Sequence, residues 1–241
     1  MITAVIQARM SSERLPGKVM GDILGKPMLY YVIRRVKRSK QIDGIVLATS
    51  TQEQDRQLID LAHKLGVETL AGSEHDVLDR FVKAAEQSKA EVIVRITADC
   101  PLIEPEVIDK VVKLYKENPS DYVFIDGYPL GTGAAEVMTA SALNKSYRLT
   151  RPEQRYYREH VMTFMTEHPE IFSVNITMAP EELRRPNYRL CVDEVADLEV
   201  VRKIYEHFAP NEDFTLAEII DFLDNHPEIA GINQHIRQKT R

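Results

Sequence analysis

Short β-rich apolar runs alternate with longer amphipathic segments from the first residues of this chain, and that alternation constrains its fold more than any other feature. Residues 2–7, 44–48, 91–96 and 121–125 are brief runs rich in β-branched or aromatic side chains beside turn signals, the pattern of buried strands. Residues 28–38, 53–65, 77–88 and 105–117 carry apolar side chains at three- and four-residue spacing, as in Leu58, Leu61, Ala62 and Leu65, and read as helices. A β-α-β-α order predicts an α/β fold: a doubly wound, mainly parallel sheet with helices on both faces and right-handed crossovers. Ligands in such folds bind beyond the carboxyl ends of the strands.

The alternation weakens after Asp126. A turn-rich segment, Gly127-Tyr128-Pro129-Leu130-Gly131-Thr132-Gly133, precedes helical patterns at 140–148 and 153–167, strand patterns near 172–176 and at 188–192, and helices at 198–207 and 216–224. The expectation is one domain over 1–241 with an inserted lobe at about 127–190. No repeat at a fixed period and no low-complexity linker interrupts it.

Composition removes whole classes. With 44% hydrophobic and 28% charged residues the 241-residue chain is too apolar to be disordered. No apolar run approaches the ~18–20 residues of a membrane span. The first residues lack the basic flank and long apolar stretch of a signal peptide, and two cysteines cannot staple a chain of this size, so a cytoplasmic, thiol-reduced location is expected. Charge is uneven: residues 1–40 hold nine Lys/Arg against two acids, a net +7, which leaves −13 on the rest for a total of −6. A basic head on an acidic body suits a local polyanion site and not the broad basic face of a nucleic-acid binder.

Two nucleotide motifs fail. Gly21-Asp22-Ile23-Leu24-Gly25-Lys26-Pro27 has three residues between its glycines where a Walker A loop has four, and Pro27 replaces the metal-binding hydroxyl. Gly131-Thr132-Gly133-Ala134-Ala135-Glu136 lacks the third glycine of a dinucleotide fingerprint and does not sit in the first strand–turn–helix unit. No histidine or cysteine spacing fits zinc, and no serine sits in a Gly-x-Ser-x-Gly elbow.

The loop leaving the first strand survives this test. Gln7-Ala8-Arg9-Met10-Ser11-Ser12-Glu13-Arg14-Leu15-Pro16-Gly17-Lys18 gathers Arg9, Arg14 and Lys18 with the donors of Ser11 and Ser12. Guanidinium groups chelate phosphate oxygens, the ammonium adds a point charge, and backbone and hydroxyl donors can line the same concavity. Two further strand patterns end in acids: Arg95-Ile96-Thr97-Ala98-Asp99, and Arg189-Leu190-Cys191-Val192-Asp193, with Asp197 a helix N-cap candidate. One such aspartate is commonly a helix cap. Two facing a basic loop would form a Mg²⁺–nucleotide site, since Mg²⁺ is held by one or two carboxylates plus substrate phosphates. Cys100 and Cys191 adjoin these aspartates and read as buried free thiols, not a redox pair.

At these residues the chain resembles the cytidylyltransferases that activate acidic sugars, 3-deoxy-manno-octulosonate and N-acetylneuraminate, and most closely their SpsF-like branch, named for a spore coat polysaccharide biosynthesis protein. The likeness covers nearly the whole chain. It lies in Ile6 to Lys18 with Leu24 to Met28, in Gly72 to Arg80, in Arg95 to Leu102, in Glu159-His160-Val161, and in Val192 to Leu198. The resemblance implies a GT-A-like, Rossmann-like nucleotidyltransferase fold. Arg9, Arg14 and Lys18 would bind the CTP phosphates and act in catalysis with Asp99, and Asp99 and Asp193 would bind Mg²⁺. Ala8, Ser11, Ser12, Asp76 and Arg80 would complete the nucleotide site, with backbone near Ala8 at the cytosine. The chain departs from the octulosonate enzymes at Asp76-Val77, where they carry Ser-Gly, and at Cys191, where threonine is usual.

The implied reaction is attack of an acceptor oxygen on the α-phosphorus of CTP with loss of pyrophosphate, feeding surface-polysaccharide synthesis. Glu136, Glu159, His160 and Arg185, beside Arg184 and Arg189, are the acceptor-binding candidates of the lobe. The expected partners are CTP and an anionic small molecule, with no nucleic acid or membrane, and a homodimer is implied by the resemblance. Two other readings share the fold: transfer with another nucleotide, including glycosyl transfer, for which Thr97-Ala98-Asp99 lacks the Asp-x-Asp motif, and non-catalytic nucleotide binding.

Overall fold

The computed structural model describes residues 1–238. β1 (Ile2–Gln7) leads through the basic loop and a 3-10 turn to a small hairpin of β2 (Asp22–Ile23) and β3 (Lys26–Pro27), then α1 (Met28–Val36). β4 (Gly44–Ser50), α2 (Arg56–Lys64), β5 (Glu68–Gly72), α3 (Val77–Ser88), β6 (Val92–Thr97), α4 (Pro105–Glu117) and β7 (Tyr122–Asp126) continue the alternation. β8 (Ala135–Thr139), α5 (Ala140–Leu149), α6 (Arg155–Glu159), α7 (Thr163–Glu167), β9 (Val174–Met178), α8 (Val195–Phe208), α9 (Leu216–Asn225) and α10 (Pro227–Ala230) complete it. Among the described residues no helix is long and apolar enough to cross a membrane.

Seven of these strands form one sheet in the order β5-β4-β1-β6-β8-β7-β9. All neighbouring pairs are parallel except those of β8, which runs antiparallel to both β6 and β7. The central strands are apolar on both faces because both are covered. On β1, Ala4 and Ile6 pack with α1, α4, α8 and α9, whereas Val5 faces α3 and α5. β1, β4 and β6 therefore end at the same edge of the sheet, and the loops that follow them are brought together there.

The strands at 2–7, 44–50, 92–97 and 122–126 and the first four helices lie where the pattern puts them. Within 127–190, β8 inserts between β6 and β7, and β9 extends the sheet edge. Two expectations are revised. The helical pattern at 153–167 divides at His160 into α6 and α7. Residues 188–192 form no strand and make only the isolated bridge Leu130↔Arg189. Gly131 permits that close approach: its φ is +98°, and a Cβ there would lie 2.6 Å from the Cys191 nitrogen.

Candidate active site

The basic loop is closed on itself before it meets any ligand. The Met10 carbonyl accepts from the Ser12 and Gly17 amides, each at 2.9 Å, and Gly17 turns the chain at φ +74°, a left-handed conformation that favours glycine. Asp55, buried at the start of α2, fastens the loop to the end of β4. Its carboxylate accepts from the Met10 amide at 2.8 Å, from Thr49 Oγ1 at 3.1 Å and from the Ser50 amide at 3.2 Å, and also takes the Ser50 hydroxyl. Asp55→Ala would strand several of these donors, so a loss of about 2–3 kcal/mol in urea unfolding is expected.

Three segments far apart in sequence meet at Lys18. Its ammonium donates to Asp99 Oδ2 at 3.1 Å, to Asp193 Oδ1 at 2.8 Å and to the Val192 carbonyl at 2.7 Å. The Val192 amide in turn donates to the Asp99 carbonyl at 2.7 Å, which holds the two aspartate-bearing turns side by side. Asp193 Oδ2 also receives Arg14 at 2.8 Å and Arg189 at 2.5 Å. Behind it, Arg189 Nε pairs with Asp197 at 2.9 Å, and Asp197 accepts from the Asp193 and Glu194 amides, each at 2.9 Å. Asp197, an N-cap candidate by sequence, is the third residue of α8 and reaches back to cap its start. The cluster sets Lys18, Arg14 and Arg189 against Asp99, Asp193 and Asp197, an even balance of charge.

Electrostatics follow this arrangement. Burial favours a neutral Asp193, but Lys18, Arg14 and Arg189 overcome it and hold the carboxyl below the usual aspartate range. Burial likewise opposes the Lys18 charge, and Asp99 and Asp193 reverse that, raising its pKa. Burial and the adjacent aspartates push the Cys100 and Cys191 thiols up, so both stay protonated. A lowered carboxyl pKa stabilises the fold above the unfolded value of ~3.9, and that contribution is lost as pH falls through the native value. The raised Lys18 pKa acts oppositely, adding stability that is lost only as pH climbs above ~10.4. Asp193→Asn is therefore expected to lower the Tm at pH 7 and to lose less Tm than the parent protein between pH 5 and pH 3 in calorimetry.

Of these groups Arg14, Lys18, Asp99 and Asp193 line a cleft of about 480 Å³ at the carboxyl edge of the sheet. Of the sequence candidates, Ala8, Arg9, Ser12, Arg14, Lys18, Arg80, Asp99, Glu159, His160 and Asp193 line it. Arg9 Nη2 pairs with Glu159 on α6 at 3.1 Å, across the cleft from the loop to the helical segment. The Ala8 amide is used by the Ala48 carbonyl at 3.1 Å. Ser11 is turned away and donates to Glu74.

Besides Ser11, the candidates Asp76, Glu136 and Arg185 stand outside the lining. Asp76 caps α3 through the Asp79 amide at 2.9 Å and pairs with buried Arg158 at 3.1 Å, so its carboxylate anchors α6 against α3. Glu136 is buried against Arg95 and Tyr122. Arg185 pairs with Asp224 at 2.7 Å on the surface. Sequence reading missed Gln7, Arg95 and Gln238, which do line the cleft, and Asp55 and Arg158, which hold its walls. A signal for Arg95 was present: an arginine inside the otherwise apolar run Val92-Ile93-Val94 and Ile96.

The donor set suits a hard divalent cation. Two carboxylates from separate turns already share one cation, the Lys18 ammonium, which shows that their oxygens converge. No group of three or more His, Cys, Asp or Glu able to hold a metal occurs among the described residues. Any ion there would complete its shell from substrate oxygens, as Mg²⁺ does with phosphates.

A mainly parallel α/β sheet with a cationic loop after its first strand and facing carboxylates has the architecture of a nucleotidyltransferase. The chain belongs to the cytidylyltransferase family, whose sequence model matches residues 3–218. It is 37% identical over 233 residues to the spore coat polysaccharide biosynthesis protein SpsF of Bacillus subtilis, covering 95% of this chain and 96% of that one. A cytidylyltransferase from Leptospira borgpetersenii superposes with a TM-score of 0.88 over 99% of both chains at 29% identity. CMP:2-keto-3-deoxy-manno-octonic acid synthetase, solved in complex with CTP, superposes with a TM-score of 0.65 over 86% of this chain and 98% of that one at 18% identity, a likeness of fold.

Proposed function

We propose that the protein transfers CMP from CTP to an oxygen of an anionic small molecule, releasing pyrophosphate, with Mg²⁺ as its metal and surface-polysaccharide synthesis as its role. The observation that carries this reading is the convergence of Arg9, Arg14 and Lys18 with Asp99 and Asp193 in one cleft. The CTP bound to the octonic acid synthetase and the name of the Bacillus relative support the choice of nucleotide and pathway.

The chemistry asks for no protein nucleophile. An acceptor oxygen attacks the α-phosphorus in line, the bond to the bridging oxygen breaks, pyrophosphate leaves with the electron pair, and the acceptor's proton passes to solvent. Arg14 and Lys18 exchange carboxylate partners for phosphate oxygens as the nucleotide arrives, which offsets charge on the leaving pyrophosphate. Asp99 and Asp193, freed of that pairing, would hold the Mg²⁺, which when bound neutralises phosphate oxygens around the reacting phosphorus. Arg9 and Glu159, joined across the cleft, position the nucleotide and limit water.

The test is a pyrophosphate-release assay with CTP and a panel of sugar acids and polyol phosphates, with products identified by mass. A CMP-linked product in equal yield with pyrophosphate supports the reading. Pyrophosphate release that needs no acceptor, or equal use of UTP, would sink it.

A further inference from the structure

Beneath the cleft, four side chains from four strands stand in one row. Tyr122 on β7 donates its hydroxyl to Glu136 Oε1 on β8 at 3.0 Å, Arg95 Nη1 on β6 donates to Glu136 Oε2, and Arg95 Nε donates to Gln7 Oε1 on β1 at 3.0 Å. Register makes the row: Arg95 lies directly opposite Glu136 across the β6–β8 pair, and Gln7 lies beside Thr97 across β1–β6. Tyr122, Glu136 and Arg95 are 3%, 7% and 6% exposed. A buried Arg–Glu pair adds little stability over apolar residues of similar size, and the flanking residues Val94, Ile96, Ala135 and Val137 are all apolar. The row calls for a reason other than stability.

Its chemistry supplies one. A guanidinium only donates, so the Gln7 atom that faces Arg95 is the amide oxygen, and the amide nitrogen is left for the cleft. Neither Gln7 Nε2 nor Arg95 Nη2 has a hydrogen-bond partner among the described residues, and both residues line the cleft beside Thr97. This part of the lining thus presents donors. Thr97 is two residues before Asp99, so these donors lie near the carboxylate that Lys18 meets.

We propose that Gln7 and Arg95, oriented by Glu136 and Tyr122, bind an oxyanion of the acceptor, either a carboxylate or a phosphate monoester. The proposal rests on the transfer reading above. It replaces Glu136 and Arg185 as acceptor contacts with residues that reach the cleft, and it gives Glu136 a positioning role.

The test uses protein saturated with α,β-methylene CTP and Mg²⁺, in which the phosphate loop is filled and no transfer can occur. Gluconate, sorbitol 6-phosphate and neutral sorbitol are titrated in, with binding followed by saturation-transfer NMR. At least one of the two anions is expected to bind at least about tenfold more tightly than sorbitol, the order of a hydrogen bond to a charged group. The anion that does so distinguishes carboxylate from phosphate. Gln7→Glu keeps an oxygen for Arg95 Nε but makes this part of the lining anionic, and it should abolish the preference while binding of the nucleotide analogue is unchanged. Tyr122→Phe changes no charge, and it should weaken the anion without altering sorbitol. Equal binding of anions and sorbitol by the parent protein, or a preference that survives Gln7→Glu, would overturn the proposal. A loss of nucleotide-analogue binding in Gln7→Glu would also overturn it, by putting Gln7 under the nucleotide. Failure of the parent protein to bind the analogue would instead overturn the transfer reading itself.

Discussion

Asp99→Asn is expected to lower turnover at least ~10²-fold, the order seen when one electrostatic stabiliser of a transition state is removed, while CTP affinity and Tm change little. The separation of these effects comes from the surroundings of Asp99. Its side chain is 29% exposed and meets Lys18 at 3.1 Å and the Cys100 thiol at 3.4 Å. Its structural link to the Val192 amide runs through the backbone carbonyl, which the substitution leaves in place. Asparagine is close in shape and keeps an oxygen for Lys18, so the fold has little to lose. What disappears is a formal negative charge where the account puts a divalent cation. Steady-state turnover and calorimetry on the same preparation check this. Near-normal turnover would remove Asp99 from the metal site.

Lys18→Met has the second large effect, and it acts on binding. Lys18 is the one cation shared by Asp99 and Asp193 among the described residues, and in the transfer reading it is also a phosphate ligand. Its loss should weaken CTP binding roughly 10- to 100-fold by isothermal titration, as expected for a lost hydrogen bond between charged groups. Stability should fall by only about 1–2 kcal/mol in urea, because Asp193 keeps Arg14 and Arg189. A variant that unfolds outright, or one that binds CTP as the parent does, would show that Lys18 serves the fold and not the nucleotide.

The parts of this fold that were legible in the sequence share a physical cause. β1, β4, β6 and β7 are buried on both faces or nearly so, and therefore appear as short apolar runs rich in β-branched and aromatic residues, interrupted in β6 by Arg95 alone. β5 hides because it is a half-exposed edge strand, Glu68-Thr69-Leu70-Ala71-Gly72, with no clear apolar run. β8 hides for a different reason. Glu136, its second residue, argues against burial until Arg95 is known to lie opposite, and only the folded register reveals that pairing. Residues 188–192 mislead in the other direction: the apolar run is real, but it packs beneath the cluster at Asp193 and forms no ladder.

The site divides along the same line. The phosphate loop is contiguous, and its cations, serines and glycine can be read from one stretch of chain. Asp99 could be placed after a strand, whereas the strand expected before Asp193 does not form, and the contact both aspartates make with Lys18 is what the three-dimensional structure adds. Asp55, Arg158 and the row from Tyr122 to Gln7 act through partners 45, 82 and 88 residues away, in the Met10, Asp76 and Gln7 contacts. No local pattern marks such pairs. Asp76 shows the converse: it sits within a family-like stretch, yet its carboxylate is taken up by a helix cap and an ion pair.

The most direct test of the central claim is a thermal-shift comparison of CTP, UTP, GTP and ATP, each with and without Mg²⁺. A ligand at 100 times its Kd stabilises by ~2.7 kcal/mol, which for a chain of this size corresponds to roughly 5–10 °C. Such a shift is expected with CTP, larger when Mg²⁺ is present and absent or much smaller with the other three nucleotides. Equal shifts with all four nucleotides, or no shift with any, would contradict it.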